Sequence, residues 1–518
     1  MNASSVVLHG HTLKLEDVSA IAHGRARVDV PSDVWDRMRS ARAYVEAIAA
    51  GDQAVYGVNT GFGALAEVPV DKDKIALLQQ NLIESHAVGV GDPMPIPMAR
   101  ALMLLRANTL AVGHSGCRPE VLQSLVHLLN ANVAPYVPIK GSVGASGDLA
   151  PLAHVALLIT GRGQAYLDGE QVSAETALSQ AGVEAIVLQA KEGLALINGT
   201  QAMAASGVLS VLQSEHIARL ADIIGALSLD TLKGTARAFD PRIHAARPHP
   251  GQQQVAKNLA ALLQGSEIMT SHADCAKVQD PYSLRCMPQV HGATRDAISH
   301  VRSVVEREIC SATDNPLVFL DGDYGIAGDD IISGGNFHGQ PLALSLDYLA
   351  IAVAELANIS ERRIEQLVNP HLSSGLPPFL STEPGLNSGF MILQVTAASL
   401  INENKVLCHP ASVDSIPSSA NREDHVSMGM TSANKLLMVI ENVQTVLAIE
   451  LLCSCQALDL RDGLKTGHAL QPVYDIVRDK VTFAPTDRQF HGDLMAALEL
   501  VRSTKLTQAA ATALGNSI

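Results

Sequence analysis

The chain has 518 residues, a formal net charge of −15, 47% hydrophobic residues and only 3% aromatic ones. That length supports a large core in two domains or subdomains, and an apolar fraction of Ala, Leu, Val and Ile favours closely packed helices. The excess of acid, without a basic cluster, argues against nucleic acid as a partner.

The first residues lack the basic start and apolar run of a signal peptide, so a cytoplasmic location is expected. Strand-like pieces at Val6–Leu8 and Arg27–Val30 precede a helix predicted at about 32–49. Ser32 is placed at its cap and Asp33 in its first turn. Residues 56–63 (Tyr-Gly-Val-Asn-Thr-Gly-Phe-Gly) read as a Gly-rich turn. Helices are expected at 74–87 and 97–113, followed by a looser stretch to residue 150. Asp148 and Pro151 suit the start of the next helix. From about residue 193, long windows free of Pro carry helical periodicity: 203–234, 342–368, 389–407 and 431–460. The apolar run from Pro341 to Leu356 is interrupted by Asp347 and Glu355 and reads as a buried helix, not a membrane span. The expected fold is mainly α: a long-helix bundle over 196–518, preceded by a smaller mixed part over 1–195. The seven cysteines are odd in number and sparsely spaced, which suits reduced thiols. His272 and Cys275 make at most half a metal site, so no metal is expected.

The most informative stretch is Ser142-Val-Gly-Ala-Ser-Gly-Asp148. At its centre, Ala145, Ser146 and Gly147 can react through their own backbone. Attack of the Gly147 nitrogen on the Ala145 carbonyl carbon closes a five-membered ring. Loss of two waters, one from the ring carbonyl and one from the Ser146 hydroxyl, leaves a methylidene-imidazolone, an electrophile that needs no external cofactor. Glycines at 144 and 147 permit the tight turn this requires. A phosphate cradle would need a Lys after Gly147, and a nucleophile elbow would need Gly where Asp148 stands.

Other candidates are weak taken singly. Tyr56 is a phenol among glycines. Serving as a base, it needs positive charge or hydrogen bonds that favour phenolate. Ser85-His86 closes a helix, and Asn198-Gly199 reads as an unfavourable pair inside one. Gln279, Tyr282 and Arg285 share one loop, where Arg offers a fork for a carboxylate. Phe337 follows two glycines, and Glu423 lies in a charged loop.

Together these segments identify the chain as resembling the histidine and aromatic amino acid ammonia-lyase family. The resemblance spans essentially the whole chain, from residues 56–63 through 141–154, 191–201, 278–286, 334–338 and 386–390 to 412–415 and 419–428. It implies an aspartase/fumarase-like helical architecture and a 4-methylidene-imidazol-5-one formed from Ala145, Ser146 and Gly147. It also implies Tyr56 as the base that takes the β-proton and Arg285 as the carboxylate holder, aided by Asn198 and Tyr282. Phe337 and Gln279 would line the pocket. A small amino acid is the implied substrate, with no membrane partner, and a homotetramer with shared sites is the implied assembly. Ser85-His86 and Glu423 resemble the histidine-acting branch, since relatives acting on phenyl or phenol rings usually carry Gln at the latter position. The expected reaction is therefore elimination of ammonia from L-histidine to give urocanate; a tyrosine or phenylalanine lyase or 2,3-aminomutase is the alternative. Arg422, Cys310 and Gln340 depart from the family pattern, and Arg422 raises the question of whether it pairs with Glu423.

Overall fold

A computed structural model describes residues 4–515 apart from 52, 53, 66, 69 and 276. The protein is mainly helical, and its longest helices are Gln201–Thr231, Met287–Glu308, Gln340–Val368 and Gly429–Asp459. They match the four predicted long segments closely, except that 287–308 was not singled out and the segment at 389–407 forms the shorter helix Met391–Leu407. At ~1.5 Å per residue the 31-residue helix Gln201–Thr231 runs roughly 46 Å.

By compactness the chain groups into two units that are discontinuous in sequence. The first comprises Met1–Leu212, Arg302–Asp347 and Pro410–Asn434; the second comprises Gln213–Val301, Tyr348–His409 and Lys435–Ile518. The division expected after residue 195 is one of chain order and falls inside the first unit.

Among the described residues every strand belongs to the first unit. The strands form small sheets: Ser4–Val7 pairs in parallel with Ala26–Asp29, and Leu317–Phe319 pairs antiparallel with Asp330–Ile332. The helix Ser32–Ala50 begins one residue earlier than a Ser32 cap requires. Pro31 occupies the cap without a side-chain bond, and Ser32 is the first helical residue. Pro suits this boundary because its ring blocks a preceding helical turn.

The core of the first unit packs by aliphatic residues rather than aromatic rings. A Cβ added at Gly207 would meet Val305 at 3.3 Å and Leu346 at 3.5 Å, so helices 201–231, 287–308 and 340–368 approach closely there. Helix Ile96–Ala111 is buried on all sides, as an apolar helix of even hydropathy should be.

The second unit is helical throughout its described residues and buries an ion pair at its centre. Arg363 and Glu450 are both fully buried, with Arg363 Nη2 2.9 Å from Glu450 Oε2. Ser228 and Ser360 donate their hydroxyls to the same carboxylate. Removing one partner strands a buried charge, which costs about 3–5 kcal/mol. Arg363→Met is therefore expected to lose that much unfolding free energy in urea titrations, and an unchanged midpoint would refute the pair's role. The helices Gln340–Val368 and Gly429–Asp459 are long and apolar enough to cross a membrane by length and composition, but 72% and 78% of their most apolar windows are buried in the protein.

Candidate active site

The loop 141–148 runs from the strand Pro138–Lys140 to the helix Leu149–Ile159. Its backbone is held at Val143, Gly144, Ser146 and Asp148. The Val143 carbonyl accepts from Met428 N at 2.9 Å, and the Gly144 carbonyl accepts from Gly339 N at 3.0 Å and from Ser427 Oγ at 2.6 Å. Asn198 Nδ2 donates to the Ser146 carbonyl at 2.7 Å, and Asp148 N donates to the Gly199 carbonyl at 2.6 Å. Gly147 has φ +78°, and a Cβ there would collide with the Gly199 backbone. Only glycine allows the loop to lie against residue 199 in this way. Ala145 is buried and Ser146 half-buried.

Asp148 anchors the turn from below. It is fully buried, accepts the Ser142 hydroxyl at 2.7 Å and accepts Met203 N at 2.9 Å. Burial pushes its carboxyl up to about 6, against the lowering effect of the Met203 N–H and the Ser142 hydroxyl. The sign is the reverse of the usual Asp case. A folded-state value raised above the ordinary 3.8 means that the native protein holds the proton more tightly. This group's contribution to stability is full below pH ~4, is lost as pH rises to ~6 and is flat beyond, a change on the order of 3 kcal/mol. Urea titrations across that window are expected to show this slope in the parent and its loss in Asp148→Asn. Equal slopes in both would contradict it.

Asn198 does not lie within a helix. The helix Glu192–Ile197 ends before it and Gln201–Thr231 begins after Thr200, so the Asn-Gly pair occupies the break. Extended geometry at Asn198 (φ −88°, ψ 106°) turns its side chain to the loop. The break is held by Arg106, a fully buried cation that donates at 2.9 Å to the carbonyls of Ala195 and Asn198 and also bonds Gln201 Oε1. Sequence reasoning missed Arg106 and Gln201. The available signal was an Arg midway along a largely apolar helix, one of two in it, where a charge persists only if paired.

Glu423 follows three residues, Ser419, Ala420 and Asn421, that all have left-handed φ (49°, 52° and 68°). Such conformations cost of order 1–3 kcal/mol each for residues bearing a Cβ. The strained turn brings the half-buried Glu423 to the loop, where one carboxylate oxygen accepts the Ser146 hydroxyl and the other accepts the Ser418 hydroxyl. Arg422 turns away: its side chain is 64% exposed and lies 3.4 Å from Glu67, so it does not occupy Glu423.

Tyr56 is half-buried in its turn, edge-on to Phe62 with ring centroids 6.5 Å apart. Burial raises its phenol above the ordinary range, opposed by a Gly63 backbone hydrogen bond and reinforced by the charges of Glu423 and Asp314. His86 ends the helix Ile75–His86, with Nδ1 3.1 Å from Ser85 Oγ. Burial lowers its pKa, against the raising effects of the Leu82 carbonyl and the Glu423 charge. Phe337 is half-buried in the segment before helix Gln340–Val368, two residues before the Gly339 N–H that holds the loop.

The first unit thus contains Tyr56, His86, Ala145, Ser146, Gly147, Asn198, Phe337 and Glu423. Gln279, Tyr282 and Arg285 belong to the second unit, so the structure does not gather them into the same unit. There the short helix Tyr282–Arg285 replaces the expected loop. Gln279 is exposed and Tyr282 is 71% exposed, with the Arg285 guanidinium 4.7 Å above the Tyr282 ring centroid. Arg285 Nε is buried without a partner. Among the described residues no group of His, Cys, Asp and Glu side chains is arranged to hold a metal ion.

The profile of the family described as aromatic amino acid lyase matches residues 13–479. The chain belongs to that family. A histidine ammonia-lyase from Myxococcus xanthus is 53% identical over 513 residues, covering 99% of this chain and all of the relative. Among solved structures, a histidine ammonia-lyase from Trypanosoma cruzi superposes with a TM-score of 0.90 at 44% identity, covering 98% of this chain and 95% of the other. A tyrosine aminomutase from Streptomyces globisporus superposes with a TM-score of 0.92 at 38% identity, covering 98% of each chain. The fold is that of this lyase family, and the chain is a carbon–nitrogen lyase by membership. The aromatic amino acid lyase frame gives the anchored loop at 141–148 its significance: the held turn presents the Ser146 side chain to Glu423.

Proposed function

We propose that this lyase eliminates ammonia from L-histidine to give trans-urocanate, the first step of histidine breakdown, and that it works as a soluble cytoplasmic homotetramer. The observation that carries the substrate reading is the placement of the Glu423 carboxylate beside residue 146, where it accepts the Ser146 hydroxyl before the ring forms. A carboxylate at that position pairs with an imidazole N–H and stabilises the ring's positive form, whereas a phenyl ring would leave the charge unpaired and costly to desolvate. The histidine ammonia-lyases among the relatives support the same choice.

The 4-methylidene-imidazol-5-one expected from Ala145, Ser146 and Gly147 fits these residues. Gly147 lies where a Cβ has no room, Ala145 is buried, and Asn198 Oδ1 is a buried polar atom without a partner beside the loop. When formed, that group supplies an electrophilic carbon for the substrate amine. The remaining work falls to ordinary side chains. Tyr56 accepts the β-proton on its phenolic oxygen. It does so as the phenolate: burial raises its pKa, so the resting proton passes to solvent before the step, and positive charge on a bound substrate favours that loss. Arg285 holds the carboxylate as a planar fork, and Asn198 keeps the loop backbone fixed while charge shifts. Positioning amine, carboxylate and β-carbon together removes much of the entropic barrier.

Gln279, Tyr282 and Arg285 would serve the site of a neighbouring copy, which fits the exposure of Gln279 and Tyr282. Exposed Leu344, Tyr348 and Ile351 at helical spacing on Gln340–Val368 offer apolar surface for such assembly.

Incubation of the purified protein with a panel of amino acids tests the reading. Urocanate from histidine is expected, with much slower formation of coumarate or cinnamate. Coumarate, cinnamate or a β-amino acid as the main product would replace it with the aromatic lyase or aminomutase alternative.

A further inference from the structure

A cavity of about 630 Å³ opens in the first unit beside the hairpin formed by 317–319 and 330–332, and none of the residues assigned to catalysis or substrate binding lines it. Part of its lining is a cluster of three rings. His114 lies 5.1 Å from Phe319 and 5.9 Å from Tyr324 between centroids, the latter stacked at 29°, and Phe319 meets Tyr324 edge-on at 6.0 Å. Tyr324 is held at a left-handed φ of 52° although its side chain is 76% exposed. Burial of that ring repays little of the strain, yet the strain keeps it over His114.

A histidine and three carboxylates supply polar groups in this corner. His114 is buried, and its Nδ1 lies 2.8 Å from the Val318 carbonyl, which can only accept. Nδ1 therefore donates to that carbonyl, and Nε2 lies 3.4 Å from the Tyr324 hydroxyl. The carboxylates of Asp323, Asp329 and Asp330 also line the cavity. Each is fixed by a backbone N–H: Leu320 to Asp323 at 2.8 Å, Asp321 to Asp329 at 2.8 Å, and Ile331 to Asp330 at 2.7 Å. Acceptors, negative charge and ring faces converge here, in a volume typical of small-molecule sites.

The geometry points to a binding site for an arylalkylamine: a primary ammonium on an apolar, ring-sized body that lacks a carboxylate. The ring faces attract the cation, and the aspartates pair with its N–H groups. An α-amino acid carries a carboxylate that these aspartates repel, so the site discriminates against the amino-acid substrate itself.

The test is calorimetric titration of the assembled, active protein with 2-phenylethylamine, set against neutral 2-phenylethanol and anionic 3-phenylpropanoate. One amine per chain is expected with Kd below about 1 mM, at least about tenfold weaker binding of the alcohol, and none of the acid. Tyr324→Ala and Asp330→Asn, both at exposed positions, are each expected to weaken the amine by roughly tenfold while leaving kcat/KM for L-histidine unchanged. Amine affinity retained in both variants would place the ligand elsewhere, at the catalytic loop for instance, and would overturn the site. So would an alcohol that binds as tightly as the amine.

Discussion

Ser146→Ala is expected to abolish turnover while leaving the protein folded. Alanine keeps the backbone but has no hydroxyl to lose, so the exocyclic methylene cannot form. The loop itself does not depend on that hydroxyl. Its anchors are the Asn198 amide, the Gly199 carbonyl, Gly339 N, Ser427 Oγ and Met428 N, all bonded to main-chain atoms of residues 143–148. The Ser146 side chain bonds to Glu423, which keeps Ser418 as a second partner. Stability should therefore change by less than about 1 kcal/mol, whereas kcat should fall roughly a thousandfold or more, at least about 4 kcal/mol of lost barrier reduction. Residual activity within tenfold of the parent would mean that the chemistry does not run through residue 146.

The second large effect is expected at Glu423. Glu423→Gln keeps the size and an acceptor for the Ser418 hydroxyl, which remains once the Ser146 hydroxyl has left, but loses the charge. Histidine kcat/KM should fall roughly 100-fold, about 3 kcal/mol, while stability is nearly unchanged because the residue is only half-buried. The same variant carries a signature that a merely structural residue would lack. Glu423 raises the Tyr56 phenol, so removing its charge lowers that pKa. A base needs its proton off, and the rate on the acid side of its pKa climbs about tenfold per pH unit. The rising limb of the pH–rate profile should therefore move to lower pH in Glu423→Gln. Unchanged histidine kinetics in this variant, or a limb displaced to higher pH, would refute the roles assigned to the pair.

These expectations rest on features of unequal legibility in the sequence. The reactive loop was legible because its chemistry constrains residue type directly: a serine that can lose its hydroxyl, flanked by residues small enough for ring closure. The long helices were legible because Pro is absent over windows of some thirty residues and apolar positions recur with helical period. What the sequence hid was tertiary. Asn198-Gly199 read as a flaw inside a helix, but it is the gap between two helices, held open by Arg106 reaching across from helix Ile96–Ala111. Arg422 looked poised to pair with Glu423 because the two are adjacent, yet the left-handed turn at 419–421 sends them different ways. The hairpin of 317–319 and 330–332 places strand structure far beyond the N-terminal part, where short segments among Gly and Asp gave no clear period. Which distant segments make up each unit depends on which helices pack together within it, and no local pattern records that.

The most direct measurement is the mass of the peptide spanning residues 140–150, released by proteolysis from active, purified protein. The account predicts a fragment lighter by two waters than the encoded sequence, and the encoded mass in Ser146→Ala apart from the oxygen lost by substitution. A full-mass, linear peptide from protein that still makes urocanate would contradict the account.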